Sequence, residues 1–367
     1  MTFISKKTAI ILFNLGGPDK PESVKPFLFN LFNDKAIIGL PQPFRYLLAK
    51  LISGKRYKTA QEIYGNIGGK SPLLDLTIDQ AHNLEKELSF HGDFKTFIAM
   101  RYWKPFSFET IEKVIKYNPD NIILLPLYPQ LSSSTSKSSI DDFNKIFNKN
   151  RQKFKQDLQI KTICCYPTEE NFIKSHSLLI KKTISRYKNL DQLRFLFSAH
   201  GLPEKLIKQG DPYVFQVEST TNKVVESLAD LLSIKKSEIS DKIDYKVCYQ
   251  SKVGPLKWTS PSLDSELRRA AIDKKIPVIT PIAFVSDHSE TLVELDIEYK
   301  EMAEELGIKK YLRTPALNSD GLFIKSLSAM CLNAKNNFDK KLSPFFCNTD
   351  QKRICPKKFK YCPNNNI

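Results

Sequence analysis

Short runs of β-branched and apolar residues recur along the chain, and each is followed by Gly, Pro or Ser and then by a helical pattern. Apolar runs of this length are typical of parallel strands that are buried on both faces, and their alternation with helices indicates an α/β protein. We therefore predict two doubly wound halves, each a parallel sheet flanked by helices. The strand-like runs are Thr8–Leu15, Thr96–Tyr102, Asn121–Tyr128, Arg194–Ala199, Tyr245–Tyr249 and Pro277–Val285.

The segment 148–159 lies between the two halves and is rich in Lys, Asn and Gln. This composition fits a linker between domains, and it also fits a charged helix. We place the first domain at residues 1–160 and the second at 161–320.

The balance of charge and apolar residues restricts the partners of the chain. Lys and Arg number 56 against 40 Asp and Glu, so the formal net charge of +16 favours anionic partners. The basic residues are dispersed, without a recognition helix or zinc-finger spacing, so we expect no nucleic-acid partner.

No apolar run reaches the roughly 18 residues that span a bilayer. The N-terminus has no small-residue cleavage site after its apolar stretch, which predicts no signal peptide and a cytoplasmic location.

Ligands of parallel sheets bind in the loops that follow the strands. Gly16 and Gly17, after the first strand, permit a tight turn and a close approach of backbone to a ligand, and an ordinary strand-to-helix turn explains them equally well. The chain has neither G-x-G-x-x-G nor G-x-x-x-x-G-K-[ST], so a nucleotide site has little support. The four loops that stand out are Leu15–Pro18, Met100–Trp103, Ser198–Gly201 and Ser286–Glu290.

A histidine and a row of acids mark the later loops. His200 ends a buried strand, where an imidazole can bind a metal, transfer a proton near neutral pH, or form a purely structural hydrogen bond. Further on, five carboxylates fall within a sector of roughly 80° on one helix. Such a face suits a loosely held divalent ion such as Fe²⁺, and a solvated surface would look the same. The five acids are Asp287, Glu290, Glu294, Glu298 and Glu301.

These loops and their neighbours resemble the motifs of the ferrochelatases, class II chelatases that insert Fe²⁺ into a porphyrin to make protohaem, and the bacterial type in particular. The motifs follow the family's order and cover about residues 8–330. The most specific part is Ser198-Ala199-His200 followed by Ser286-Asp287-His288-Ser289-Glu290-Thr291. The other matches are Leu15–Pro18, Gln61–Tyr64, Ile67–Pro72, Met100–Tyr102, Tyr128–Gln130, Gly201–Pro203, Gln209–Tyr213, Gln250–Pro255 and Pro281–Val285.

The resemblance implies two Rossmann-like domains that face each other across a porphyrin cleft. It adds an active-site lip at about 26–58, a helix at about 321–335 that returns to the first domain, and a cysteine-containing tail over 336–367. The implied substrates are protoporphyrin IX and Fe²⁺, with no organic cofactor. A coproporphyrin-type ferrochelatase and a non-catalytic tetrapyrrole- or metal-binding protein are the alternatives, although the coproporphyrin type tends to carry Tyr where this chain has Leu15.

By this likeness, His200 and Glu290 form the inner metal-site pair. Two pyrrole protons leave as Fe²⁺ enters, so we assign proton abstraction mainly to His200 and metal binding to Glu290. Asp287, Glu294 and Glu298 would form an outer acidic row on a helix that is locally widened to π geometry.

The porphyrin-binding residues are also implied by the resemblance. Trp258 could instead anchor a loop, and Tyr64 could simply pack a helix. The wall positions are Leu15, Arg101, Tyr102 and Trp258, and the polar positions at the porphyrin edge are Arg56, Tyr64, Ser71 and Ser251.

The lip segment mixes Phe, Leu and Ile with Pro, and basic residues lie beside it. Apolar residues next to cations could touch anionic lipid at the cytoplasmic face of a membrane. A helical hairpin that belongs to the core fits the same pattern. The basic neighbours are Lys50, Lys55, Arg56 and Lys58.

Some ferrochelatases hold a [2Fe-2S] cluster through one internal Cys and three Cys near the C-terminus, and thiolate is the ligand that such a cluster prefers. Cys347, Cys355 and Cys362 could supply three ligands here. Cys164 or Cys165 could supply the fourth, and we select Cys165. The spacing differs from the animal type, and reduced thiols in a disordered tail are the alternative.

Overall fold

The computed structural model describes residues 6–338, 343–349 and 353–364. The chain divides into two compact units. The first unit holds the described residues of Met1–Tyr166, Leu327–Ile354 and Pro363–Ile367, and the second holds those of Pro167–Ser326 and Cys355–Cys362.

The first unit is built on a five-stranded sheet in the order β2-β1-β3-β4-β9, with every neighbouring pair parallel. All residues of the central β1 and β3 are buried, as their continuous apolar sequences predict. The strands are β1 Thr8–Asn14, β2 Phe94–Met100, β3 Asn121–Pro126, β4 Gln159–Cys165 and β9 Phe345–Cys347. The helices are α1 Val24–Phe32, α2 Phe44–Gly65, α3 Leu73–Leu88, α4 Ser107–Tyr117 and α5 Ser136–Lys149.

The second unit has a four-stranded sheet in the order β6-β5-β7-β8, again parallel throughout. Helix α13, Gly321–Lys335, begins in this unit and ends in the first. The strands are β5 Leu193–His200, β6 Tyr245–Gln250, β7 Ile276–Pro281 and β8 Leu312–Arg313. The helices are α6 Glu170–Thr183, α7 Glu204–Lys208, α8 Tyr213–Leu231, α9 Ile239–Lys242, α10 Leu263–Ile272, α11 Ser289–Leu292 and α12 Tyr299–Glu305.

A π-helical segment, Glu294–Glu298, lies between α11 and α12. We call this segment the π turn, and we call Ser289–Glu305 as a whole the acidic helix. The amide of Glu298 donates to the carbonyl of Val293, five residues earlier, which is the bond that defines π geometry.

Two parallel sheets flanked by helices confirm the predicted α/β class. The predicted boundary at residue 160 falls inside β4, which pairs with β3, so the first unit continues to Tyr166. The segment 336–367, predicted as a tail, supplies β9 to the first sheet and residues 355–362 to the second unit. Within the described residues, no helix combines the length and the apolar character needed to cross a membrane.

Candidate active site

The second unit places an imidazole and a carboxylate together at the carboxyl ends of its strands. His200 is the last residue of β5, and its Nδ1 lies 2.6 Å from the carbonyl oxygen of Gly201. Because a carbonyl can only accept, Nδ1 carries the proton of the neutral imidazole. Nε2 is therefore the basic nitrogen, and it lies 3.9 Å from Oε1 of Glu290.

A second imidazole lies at the other oxygen of Glu290. His288 Nε2 is 3.7 Å from Oε2 of Glu290, and His288 Nδ1 donates to the carbonyl of Ser286 at 3.0 Å. Burial alone would raise the pKa of Glu290, but the imidazoles of His200 and His288 hold this pKa below its usual value. Burial alone would lower the pKa of His288, but Glu290 raises it. Glu290 is therefore ionised at neutral pH and can bind a cation.

The buried side chain of Gln250 fixes this pair. Its Oε1 accepts from the hydroxyl of Ser198 at 2.6 Å, and its Nε2 donates to the main-chain carbonyl of Glu290 at 2.8 Å. In the pairing of β5 with β6, Gln250 is the partner of His200. One amide thus connects the strand that carries His200 with the first turn of the acidic helix.

Glu294 and Glu298 follow Glu290 along the acidic helix, and we call these three residues the acidic ladder. The Glu294 carboxylate accepts from the main-chain N–H and the hydroxyl of Ser251, at 2.8 and 2.5 Å. Burial, and then the charge of Glu290, raise the pKa of Glu294. Glu298 is exposed. The ladder therefore runs from beside His200 to the surface, as transfer of a divalent cation would require.

Asp287, which the sequence places in the acidic row, is bound by other groups. Arg313 donates to its Oδ1 at 3.1 Å, Thr291 to the same oxygen at 2.9 Å, and Asn318 to its Oδ2 at 2.9 Å. A metal ion would have to displace these donors. Asp287 thus anchors the start of the acidic helix, and metal binding by its carboxylate stays a prediction.

Trp258 lies beside His200, with 6.3 Å between the ring centroids. Gly201 permits this packing, because a Cβ at that position would lie 3.1 Å from the indole. The indole N–H is buried and has no acceptor in the part of the chain that the structure describes. The predicted wall residue Trp258 is thus next to His200, whereas the hydroxyl of Ser251 is bound to Glu294.

In the first unit, three predicted residues meet where β1 and β2 end. The main-chain N–H of Arg101 donates to the carbonyl of Asn14, and that of Tyr102 donates to the carbonyl of Leu15, both at 2.9 Å. The side chain of Leu15 is half-buried. Backbone pairing therefore brings Leu15, Arg101 and Tyr102 to one edge of this sheet.

The Gly16–Gly17 pair is needed because the chain packs against itself at this turn. Gly16 has a φ of +82°, and a Cβ there would lie 3.0 Å from the main-chain nitrogen of Trp103. A Cβ at Gly17 would lie only 2.4 Å from the side chain of Ser71. The predicted polar residue Ser71 is therefore fixed directly against the loop that follows β1.

Arg101 and Tyr102 share a buried carboxylate. Asp34 lies 2.9 Å from Nη2 of Arg101, and it accepts from the Tyr102 hydroxyl at 2.8 Å and from Ser138 at 2.6 Å. Burial raises the pKa of the Tyr102 hydroxyl well above its usual value, and Asp34 raises it further. These polar groups thus hold each other, and contact of Arg101 and Tyr102 with a porphyrin stays a prediction.

The remaining predicted residues of the first unit lie on α2. Arg56 is exposed, and its guanidinium lies 5.9 Å from the ring centroid of Phe32. Tyr64, in the last turn of α2, is only 7% exposed. Arg56 is therefore available to an anionic group, whereas the Tyr64 ring belongs to the packed side of the helix.

Three thiols lie close together where β4 meets β9. The Sγ atom of Cys164 is 3.7 Å from that of Cys165 and 3.4 Å from that of Cys347. Successive strand residues normally point to opposite faces, but the pairing passes from Ile163 with Phe346 to Cys165 with Cys347, so Cys164 is the extra residue of a bulge. The bulge explains how two consecutive thiols reach one place.

The two other thiols of the C-terminal segment belong to the second unit, and both are buried. The sulfur of Cys355 accepts from the side-chain amide of Gln216 at 3.1 Å. The ring of Phe359 lies 5.3 Å from that of Phe215, and a Cβ at Gly210 would lie 2.8 Å from the main chain of the same segment. Residues 355–362 are therefore packed against α8 and the loop before it.

The sequence does not reveal the roles of three residues around the site. His288 occurs within the Ser-Asp-His motif and Gln250 within the Gln-Ser-Lys motif, but neither motif shows what these side chains hold. Arg313 gave no signal, because it lies in a two-residue strand with no motif around it.

Comparison with known proteins identifies the family. The ferrochelatase family model matches residues 7–335. The ferrochelatase of Rickettsia felis is 50% identical over 361 residues, which is 98% of each chain, and that of Pelagibacter ubique is 47% identical over 97% of this chain and 98% of its own. Among solved structures, SirB from Bacillus subtilis with Fe³⁺ has a TM-score of 0.48 at 13% identity, covering 91% of this chain and 99% of SirB. On the family model and the sequence relatives, this chain belongs to the ferrochelatases, the enzymes that insert Fe²⁺ into a porphyrin for haem synthesis.

Proposed function

We propose that the chain inserts Fe²⁺ into protoporphyrin IX and releases protohaem, with His200 as the proton acceptor and Glu290 as the inner metal ligand. The observation that carries this proposal is the basic Nε2 of His200 lying 3.9 Å from the ionised carboxylate of Glu290. Metal insertion removes two pyrrole protons, so the reaction needs a base and a cation ligand in one place.

In this mechanism, His200 accepts a pyrrole proton on Nε2 while Nδ1–H stays bonded to Gly201. The resulting imidazolium is stabilised by the Glu290 carboxylate. Burial raises the pKa of Glu294, so its carboxylate is a better proton acceptor than an exposed one and can take the proton onward. Once that proton has moved on, His200 accepts the second pyrrole proton in the same way. The porphyrin loses two protons and gains Fe²⁺, so its charge does not change.

We propose that Fe²⁺ reaches Glu290 along the acidic ladder. Glu298 is the exposed end, and Glu294 lies between it and the inner pair. Hard carboxylate ligands with open positions bind Fe²⁺ loosely enough to release it to the ring.

Protoporphyrin rather than coproporphyrin is the proposed ring, because the residue directly after β1 is the apolar Leu15. The test is anaerobic Fe²⁺ insertion, with Zn²⁺ as a second metal, measured as kcat/KM for each porphyrin by the change in absorbance. A higher kcat/KM for protoporphyrin supports the proposal. A higher value for coproporphyrin would assign the chain to the coproporphyrin type.

We further propose that Cys165, Cys347, Cys355 and Cys362 bind a [2Fe-2S] cluster. Two observations support this proposal: Cys165 and Cys347 lie in a group of sulfur atoms within 4.8 Å of one another, and all four thiols are buried. When bound, such a cluster is a one-electron redox centre held by thiolates.

Iron and sulfide content after anaerobic purification tests the cluster, together with the visible and electron paramagnetic resonance spectra. We expect about two iron and two sulfide per chain, lost in Cys347→Ala. Cys331→Ala is the matched control, because Cys331 is also free and buried but lies in α13, outside the group of sulfur atoms. Iron-free wild-type protein from a cluster-competent host would contradict the proposal.

We also propose that α2 touches an anionic membrane. Phe44, Leu47 and Leu51 are 62, 60 and 54% exposed, and their spacing puts them on one face of the helix. Lys50 and Lys55 are exposed on the same helix. An apolar stripe with neighbouring cations is the pattern of an interfacial helix. The structure thus argues against a hairpin that buries these side chains, and the cytoplasmic face stays the expected side.

Flotation with vesicles tests this contact. One set of vesicles contains phosphatidylserine, and the other consists of phosphatidylcholine alone. We expect binding to the anionic vesicles that the triple variant F44S/L47S/L51S loses. Phe90→Ser is the matched control, because Phe90 is 91% exposed but lies outside α2. Equal binding by the triple variant and wild type would exclude α2 as the contact.

A further inference from the structure

The π turn is held by two residues that no motif marks. These residues are Tyr311, directly before β8, and Arg313, in β8. The side chains of both donate hydrogen bonds to the π turn. Residues two apart in an extended segment point to the same side. One short segment thus presents both side chains to the acidic helix.

Tyr311 compensates for the changed backbone bonding of the π turn. In a regular α-helix the amide of Tyr299 would donate to Leu295, but here it donates to Glu294. The Leu295 carbonyl has lost that donor, and the hydroxyl of Tyr311 donates to it at 2.8 Å. The hydroxyl therefore stabilises the π arrangement relative to a regular α-helical turn.

Arg313 holds the π turn and the start of the acidic helix together. It binds Asp296 in two parallel bonds, Nε to Oδ1 at 2.7 Å and Nη2 to Oδ2 at 2.6 Å, and its Nη1 donates to Asp287 at 3.1 Å. The side chain is 11% exposed. Two parallel bonds fix the position of the Asp296 carboxylate in addition to the attraction between the charges. The ammonium group of a lysine cannot form such a pair of bonds.

These bonds separate the acids near the site into two groups. One guanidinium forms ion pairs with both Asp287 and Asp296, whereas in the described part of the chain neither ladder acid, Glu290 or Glu294, forms an ion pair with Lys or Arg. Glu290 precedes the π turn, and Glu294 begins it. The spacing of the ladder carboxylates therefore depends on the geometry that Tyr311 and Arg313 hold.

We propose that Tyr311 and Arg313 are positioning residues that keep the π turn open and so set the spacing of the acidic ladder for a divalent metal. This inference rests on the proposed role of the ladder in metal transfer. Neither residue needs to touch the metal or the porphyrin. Loss of either side chain's bonds should raise KM for the metal and leave porphyrin binding unchanged.

The test measures KM for Zn²⁺, KM for protoporphyrin and kcat in Arg313→Lys and Tyr311→Phe. Supporting groups of metal sites typically contribute 10- to 100-fold, so we expect Arg313→Lys to raise KM for Zn²⁺ about tenfold or more. Tyr311→Phe removes one hydroxyl and should raise it about threefold. KM for protoporphyrin should stay at the wild-type value in both variants.

Arg194→Lys is the matched control. Arg194 is also a buried arginine of the second unit that binds two carboxylates, Asp244 and Asp273, each at 2.8 Å, but it lies near the start of β5, at the opposite end of that strand from His200. A general loss of stability would affect Arg194→Lys and Arg313→Lys alike. A selective rise in KM for Zn²⁺ in Arg313→Lys would therefore come from the π turn.

Glu294→Gln separates this inference from the proposed function. If Glu294→Gln raises KM for Zn²⁺ while folded Arg313→Lys and Tyr311→Phe do not, the positioning role is wrong and the ladder stands. If Glu294→Gln leaves KM for Zn²⁺ unchanged, the ladder proposal fails and this inference fails with it. If Arg313→Lys does not fold, Tyr311→Phe alone decides.

Discussion

Glu290 lies between two imidazoles, and each of its oxygens has one of them within 4 Å. This arrangement keeps the carboxylate ionised, as the lowered pKa of Glu290 reflects. The Nδ1–H of His200 is bound by Gly201, so the nitrogen facing Glu290 is the one that can accept a proton. At the residue scale, the proposed proton acceptor His200 and the proposed cation ligand Glu290 are thus adjacent groups.

A third histidine has no such role but affects stability. His176 on α6 is fully buried, and in the described part of the chain neither ring nitrogen has a hydrogen-bond partner. Burial lowers its pKa to about 3, against a smaller opposite effect of Asp320. An unpaired buried polar group costs about 1–3 kcal/mol, so His176→Leu should raise the free energy of unfolding by about that amount at pH 7.

The stabilising effect of His176→Leu should increase as the pH falls. The unfolded state takes up a proton at His176 below about pH 6.5, whereas the folded state does not until about pH 3, so stability falls as pH falls through this window. Between pH 7 and pH 5 the advantage of His176→Leu over wild type should grow by about 2 kcal/mol. Urea unfolding at both pH values measures it. A constant difference would show that His176 is protonated in the folded protein.

At the scale of elements, the acidic helix combines α11, the π turn and α12. Helical periodicity in the sequence predicts one continuous amphipathic helix, and it places the acids on one face. The π geometry was implied by the family resemblance and not by the pattern, because its extra residue depends on partners such as Tyr311, sixteen residues beyond Leu295.

The bulge in β4 predicts different roles for two consecutive cysteines. Cys165 is the partner of Cys347 in the pairing of β4 with β9, whereas the thiol of Cys164 donates to the carbonyl of Phe346 at 3.0 Å. We therefore expect Cys165→Ser to lose the proposed cluster iron and Cys164→Ser to keep about two iron per chain. Iron analysis of both variants, prepared side by side, decides. Iron loss in Cys164→Ser with retention in Cys165→Ser would reverse the assignment.

At the scale of the whole molecule, six strands could be predicted because each contains a run rich in apolar residues. Strands β4, β8 and β9 were not predicted. Gln159 and Lys161 interrupt the apolar character of β4, and β8 and β9 contribute only two and three residues. β9 also pairs with a strand about 180 residues earlier in the chain, and local sequence carries no information on such pairing.

The site was predictable to the extent that its motifs are local. His200 and Glu290 follow predicted strands, and the structure brings them together as expected from parallel sheets. Gln250, which donates to the main chain of Glu290, and Arg313, which binds Asp296 in the π turn, come from other strands, so their role appears only in three dimensions. The porphyrin contacts proposed for Leu15, Arg56, Ser71 and Trp258 stay predictions.

The proposed mechanism depends most on His200 as the base of metal insertion. The most direct test is anaerobic Fe²⁺ insertion into protoporphyrin IX by His200→Ala, with porphyrin binding measured separately by fluorescence quenching. The exposed His91 provides the control variant His91→Ala. We expect kcat of His200→Ala to fall by about 100-fold or more while porphyrin binding stays near wild type, since a positioned base contributes about 10²–10⁴-fold. Turnover by His200→Ala at the rate of His91→Ala would show that His200 is not the base.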